Sequence, residues 1–239
     1  MSGDKRKPTK TVGIIGGMGP LATIDLMRRV VLNTPASDDG DHIRMLVDNN
    51  PRVPSRINAL IEGTGVSPAP CLIDMARSLE SSGADFLAMP CNTAHHYHPD
   101  IAAAVSIPVM SIVEETLEHI VAKLGDKPSI GMLASSALQK IDLYEHPAEQ
   151  RGVRLHYPSA TDQHKVMQLI NAIKAGQHSA AQIAQLEPIL KTLQSAGADC
   201  ALLACTEFSA VSSQIASPLP VLDASEILAR AIVKAAMGN

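Results

Sequence analysis

Short apolar runs alternate along the chain with longer stretches whose apolar residues recur at helical spacing. Thr11–Ile15 reads as a strand, and Leu21–Leu32 as a helix with Pro20 at its start, where a missing amide hydrogen is tolerated. Ile43–Val47 is the next strand, followed by a loop carrying Pro51 and Pro54. Cys71–Ser81 is a helix closed by Gly83, Phe86–Met89 a strand, and a further helix starts after Asn92. Ile107–Met110 is another strand, leading into a helix that runs through Leu124. Strands without polar alternation, separated by helices, predict an α/β fold with parallel sheets covered on both faces.

The second half repeats the first. "TVGIIGG" from Thr11 has a partner in "SIGMLAS" from Ser129, and "IPVMSIVEE" from Ile107 in "LPVLDASEI" from Leu219. "GADFLAMPCNT" from Gly83 aligns without a gap on "GADCALLACTE" from Gly197, which superposes Cys91 on Cys205. Three matched segments in one order at near-equal spacing indicate an internal duplication of a unit of roughly 100 residues. The expected architecture is two similar domains, one over residues 1–108 completed by 219–239, the other over 109–218. The chain would cross between them near Ser111 and Pro220, whose Pro-flanked segments suit hinges. Ligands of open α/β sheets sit outside the carboxyl ends of the strands, so the functional site belongs in the cleft between the halves. Cys91 and Cys205, each directly after an apolar strand, would occupy opposite walls of it.

Composition narrows the chemistry. Only 2% of the 239 residues are aromatic, with no Trp, which argues against a base-stacking or carbohydrate platform. Twenty Lys and Arg against 24 Asp and Glu make no basic field for nucleic acid. No window approaches 18 uninterrupted apolar residues, so no membrane span is expected. The polar, basic opening MSGDKRKPTK lacks a following apolar leader segment and reads as a frayed tail over residues 1–10. Four cysteines are too sparse for a disulfide scaffold, and the expectation is a reduced, cytoplasmic protein.

Two facing cysteines carry a specific chemistry. Each lies in a strand-to-helix turn, Cys91-Asn92-Thr93 and Cys205-Thr206-Glu207. Open amides at a helix start favour an anion, so they would lower a thiol pKa from about 8.5 and could also hold a ligand carboxylate. A thiolate on one side can then remove an α-proton while a thiol on the other returns one, inverting the carbon with no cofactor. Cys200, inside a buried strand pattern, and Cys71 read instead as small core residues.

"GIIGGMGPLAT", "NNPRVPSRI", "MPCNTAHHY", "LLACTEF" and "LDASEILARA" resemble the aspartate/glutamate racemase family, and most of all its aspartate racemases, from about Thr11 to the C-terminus. The resemblance implies cofactor-independent racemisation of aspartate, then glutamate, then a broader set of amino acids, by a cysteine pair in an inter-domain cleft, commonly in a homodimer. It implies Cys91 and Cys205 as the acid and base, with Asn92, Thr93 and Thr206 holding the α-amino and α-carboxylate groups. Met18, Gly19, Asn49, Ser135 and Glu207 fall in the matched motifs and are implied as further substrate contacts. A basic pair grips the second carboxylate, here Arg56 in "NNPRVPSRI" and Lys174 in "INAIKAGQ", with Arg52 and Lys165 as fallbacks. Ser55 and Ile57 stand where relatives often have Asp and Thr, and Leu138 stands in a segment usually rich in hydroxyls; all three are expected near the substrate.

Other chemistries have weaker signatures. Gly17-x-Gly19-x-x-Ala22 follows a strand as a dinucleotide fingerprint would, but Asp48 comes later than the ribose-binding acid should. A close backbone approach to a small ligand explains the same glycines. Cys91, His95, His96 and His98 include good metal ligands, yet only Cys91 and His95 would share a helical face and the duplicate motif has no histidine. A related isomerase or decarboxylase of diacids or hydantoins, or a two-lobed solute-binding protein, would use the same cleft.

Overall fold

The computed structural model describes residues 9–238. In the first half, β1 (Val12–Gly16), β2 (Met45–Asn49) and β3 (Phe86–Ala88) form a parallel sheet in the order β2-β1-β3. In the second, β4 (Ser129–Leu133), β5 (Arg154–His156), β6 (Cys200–Leu203) and β7 (Val221–Asp223) form one in the order β5-β4-β6-β7. The helices of the first half are α1 (Pro20–Asn33), α2 (Ala69–Ser81) and α3 (His98–Ala104), and α4 (Ile112–Leu124) follows them. After β4 come α5 (Ser136–Lys140), α6 (Glu145–Gln150), α7 (Ala160–Lys174), α8 (Ala180–Ala184), α9 (Leu186–Ser195), α10 (Thr206–Ala210) and α11 (Ala224–Met237). The α/β architecture of two like sheets covered by helices is the one the duplicated sequence calls for.

The repeat extends to individual bonds. Gly83 and Gly197 both turn the chain at φ +93°. Asp85 then takes the Thr11 amide on its carboxylate at 2.6 Å and returns its own amide to the Thr11 carbonyl at 2.8 Å. Asp199 does the same with Ser129 at 2.7 and 2.7 Å. The "GAD" motif is therefore a clasp that closes the third strand of each sheet onto the first. Gly13 and Gly131 match because a helix crosses close above each. A Cβ on Gly13 would fall 2.6 Å from a Leu87 methyl and 3.2 Å from Leu79 of α2, and one on Gly131 3.1 Å from Leu193 of α9.

Several sequence expectations shift. β2 begins at Met45 rather than Ile43, which instead anchors in the core. The expected strand Ile107–Met110 reduces to one parallel bridge between Leu87 and Val109. Pro108 has no amide to extend the ladder, so only its carbonyl and the Met110 amide pair with Leu87, both at 2.8 Å. Residues 1–8 of the expected frayed tail lie outside the described residues, but Lys10 is tied down by a 2.9 Å bond from its amide to the Ala236 carbonyl.

The halves share their helices. Residues 219–223, assigned from sequence to the first unit, lead into and form β7, which pairs in register with β6 of the second sheet. Only α11 reaches back, packing on α1, while α4 leaves the first sheet and packs on α11 and α6. One apolar core therefore runs between the sheets, joining Val12, Ile14, Leu26 and Val30 to Ile112, Leu117, Ile130, Met132 and Leu228. Separate cores fill the outer faces under α2 and α3 and under α7 and α9. Among the described residues, no helix is long and apolar enough to cross a membrane.

Candidate active site

Both sheets present their carboxyl ends to one cavity of about 200 Å³. The first half contributes Met18, Ser55, Arg56, Ile57 and Cys91–Thr93, the second Ser135, Met167, Asn171, Lys174 and Ala204–Glu207. The volume is below the roughly 300–1,000 Å³ of drug-sized sites and suits a small metabolite. Cys91 and Cys205 are both free thiols and both nearly buried, 7% and 8% exposed. The duplication thus brings two equivalent thiols to one enclosed space from opposite halves.

Their surroundings differ. The Cys205 thiol donates to Glu207 Oε2 at 2.9 Å. Burial, and then the Glu207 charge and that hydrogen bond, hold its pKa well above the ordinary thiol value, with Lys174 opposing. This corrects the expectation that the helix start lowers it: α10 spans only five residues, and a carboxylate lies nearer. Lys174 Nζ stands 3.5 Å from Glu207 Oε1, so a Cys–Glu–Lys chain backs this wall. On the other wall, His95 braces the cysteine backbone. Its Nε2 accepts from the Ile112 amide at 3.1 Å, so Nδ1 carries the hydrogen and donates to the Cys91 carbonyl at 2.8 Å. Both ring nitrogens are engaged, and burial lowers the pKa to about 4, keeping the ring neutral.

Polar groups gather at the wall, and two of their donors have no partner. The Tyr144 hydroxyl donates to Asn92 Oδ1 at 2.6 Å and so fixes the amide plane, leaving Asn92 Nδ2 buried without a partner. Thr93 Oγ1 and Ser135 Oγ meet at 3.5 Å across the two halves. Arg56 donates to the carbonyls of Pro54 at 3.1 Å and Met18 at 3.3 Å, while its buried Nε has no partner. Orphan buried donors are costly, and a carboxylate would satisfy them.

A family profile described as Asp/Glu/Hydantoin racemase matches residues 15–232. The chain belongs to that family. It is 33% identical over 232 residues to a broad specificity amino-acid racemase of Bacillus subtilis, covering 93% of this chain and 96% of the relative. The aspartate racemase of Picrophilus torridus superposes with a TM-score of 0.80 at 30% identity, over 95% of this chain and 94% of that one. A glutamate racemase of Bacillus anthracis shares the fold, with a TM-score of 0.61 at 18% identity over 94% and 79% of the two chains.

Within this racemase-family fold, Met18, Arg56, Asn92, Thr93, Ser135, Lys174, Thr206 and Glu207 line the thiol cavity. Gly19 does not; it lines a neighbouring chamber. Asn49 lines neither, because it ends β2 opposite Gly16 and is exposed. Leu138 is 1% exposed in the core rather than at the substrate, whereas Ser55 and Ile57 do reach the cavity. The glycine run serves the protein's own packing. The Gly17 amide donates to Thr23 Oγ1 at 2.9 Å, and a Cβ on Gly17 would collide with the Asn50 backbone. Tyr144, Met167 and Asn171 were not legible as site residues. Tyr144 comes from beyond α5 and meets Asn92 only through the tertiary fold, though a tyrosine in so aromatic-poor a chain is itself a weak signal.

Proposed function

We propose that this member of the family is a cofactor-independent amino-acid racemase in which Cys91 and Cys205 are the acid and base, with aspartate as a substrate. The observation that carries the reading is the pair of buried thiols from duplicate motifs lining one small cavity with unpartnered donors. The α-carboxylate sits against Asn92 Nδ2 and the hydroxyls of Thr93 and Thr206, which also stabilise the extra charge that develops when the α-proton leaves. Arg56 and Lys174 receive the side-chain carboxylate, the Arg fork by paired hydrogen bonds and the lysine as a point charge.

In one direction the Cys91 thiolate takes the α-proton and the Cys205 thiol delivers its own to the opposite face. The resting hydrogen bond from Cys205 to Glu207 suits that acid role. In the reverse direction Cys205 first passes its proton along this bond to Glu207, and Cys91, protonated from solvent, is the thiol that returns a proton to carbon. Both thiols must stay reduced, which fits a cytoplasmic setting. A test is proton NMR of the protein with L-aspartate in deuterated water. Wild type should lose the α-hydrogen signal and lose optical rotation. Cys91→Ala and Cys205→Ala should each abolish racemisation while either could still exchange the α-hydrogen of one enantiomer. A single mutant that racemises at the wild-type rate would overturn the two-thiol scheme.

A further inference from the structure

A second chamber of about 270 Å³ adjoins the thiol cavity and shares Met18, Arg56, Lys174, Thr206 and Glu207 with it. Beyond that shared wall no charged side chain lines it among the described residues; Leu21, Pro51, Ile173 and Ala210 face it together with Gly17 and Gly19. Leu21 stands 58% exposed there. The glycine run adds no anion site of its own, since Pro20 has no amide hydrogen and the Gly17 amide is already bonded to Thr23. The dividing wall can yield. Met18 is unbranched and adaptable, and the Lys174 side chain is 46% exposed and 3.5 Å from Glu207, a long contact for an ion pair.

Resting on the racemase reading, we infer that this chamber receives the side chains of unbranched aliphatic amino acids, which pass between Arg56 and Lys174 while the α-carbon stays between the thiols. Short side chains end in the first cavity; longer ones cross the shared wall and bury methylenes against Leu21, Ile173 and Ala210. Each methylene buried in an apolar site is worth about 0.8 kcal/mol, or about a fourfold gain in kcat/KM.

The experiment follows α-hydrogen loss in deuterated water across alanine, 2-aminobutyrate, norvaline and norleucine, with wild type, Ala210→Phe and Leu21→Ser. Ala210 and Leu21 are exposed, so neither change disturbs the core. The expected wild-type result is a kcat/KM that climbs about fourfold per methylene once the chain outgrows the first cavity. Ala210→Phe should fill the chamber and lower the norleucine-to-alanine ratio at least tenfold, and Leu21→Ser should lower it several-fold. Turnover of alanine with no gain along the series, or an unchanged ratio in Ala210→Phe, would overturn the chamber's role and leave the racemase reading standing. No exchange from any of the four or from aspartate would overturn both.

Discussion

His95 offers a sharp test of how the Cys91 wall is held. The ring is 4% exposed and bridges the Cys91 carbonyl to the Ile112 amide, at the point where the chain leaves the first sheet for α4. Its pKa falls from 6.5 to about 4, chiefly through burial, with the stacked His98 ring 5.9 Å away adding to the cost of a charge. The backbone hydrogen bonds to Cys91 and Met110 act the other way and do not offset it. A lowered folded-state pKa means that the unfolded chain takes up the proton first. Stability from this group is therefore whole above about pH 6.5 and is lost as pH falls towards 4. At about 1.4 kcal/mol per unit, the loss between pH 7.5 and 4.5 is about 2–3 kcal/mol. Urea unfolding of wild type and His95→Asn at both pH values isolates it, since other acid-labile groups are common to the two proteins. The advantage of wild type should shrink by about 2–3 kcal/mol on acidification. Curves that fall in parallel would refute the neutral, doubly bonded imidazole.

Other consequences follow from the same geometry. Glu207→Gln removes the charge that raises the Cys205 pKa, so the midpoint of its iodoacetamide alkylation should move to lower pH. The same change should slow the reaction direction in which Cys205 acts as the base by about 10²-fold, as loss of a positioned proton acceptor does. Arg29 is buried against Asp25 at 2.6 Å, Asp223 at 3.0 Å and Glu226 at 3.1 Å, and donates to the Ser209 carbonyl of α10. Arg29→Ala strands those carboxylates and should lower unfolding stability by about 3–5 kcal/mol in urea titration. Tyr144→Phe leaves Asn92 Oδ1 unbonded and should raise KM for aspartate more than it lowers kcat, because it frees the amide proposed to hold the carboxylate.

Much of this was written in local sequence. The parallel α/β sheets follow from a repeated strand–helix pattern, whereas the strand order and the clasp made by Asp85 and Asp199 were not read from it, since the clasp joins residues 74 and 70 positions apart. The cysteines were legible from that pattern: they end strands, and strand ends define the cleft. What was not legible depends on distance in sequence. Tyr144 meets Asn92 across 52 positions, and nothing local announces it. The Cys205 environment was misjudged because turn position argues for a lowered pKa, while burial and Glu207 two residues on decide the reverse. The end of the first sheet failed on one residue, Pro108, whose missing amide leaves a bridge where the apolar pattern reads a strand.

The duplication explains why each half brings a thiol to the cavity but not how the proposed pair would divide the roles of acid and base, because a perfectly symmetric pair would have equal proton affinities. The symmetry is broken just behind the sulfurs. After Cys91 comes Asn92-Thr93-Ala94-His95, and His95 turns away from the cavity to fix the main chain. After Cys205 comes Thr206-Glu207, and Glu207 turns towards the sulfur with Lys174 behind it. One wall has a rigid backbone and no ionic partner built into its turn; the other has a carboxylate in direct contact. A proton on Cys205 is therefore favoured at rest, so the two reaction directions start from unequal footing and should differ in how kcat depends on pH. The direction that needs a Cys205 thiolate should gain more from rising pH. Measuring kcat from each enantiomer across pH 6–10 checks this, and superimposable profiles would mean that the asymmetry behind the sulfurs does not reach the chemistry.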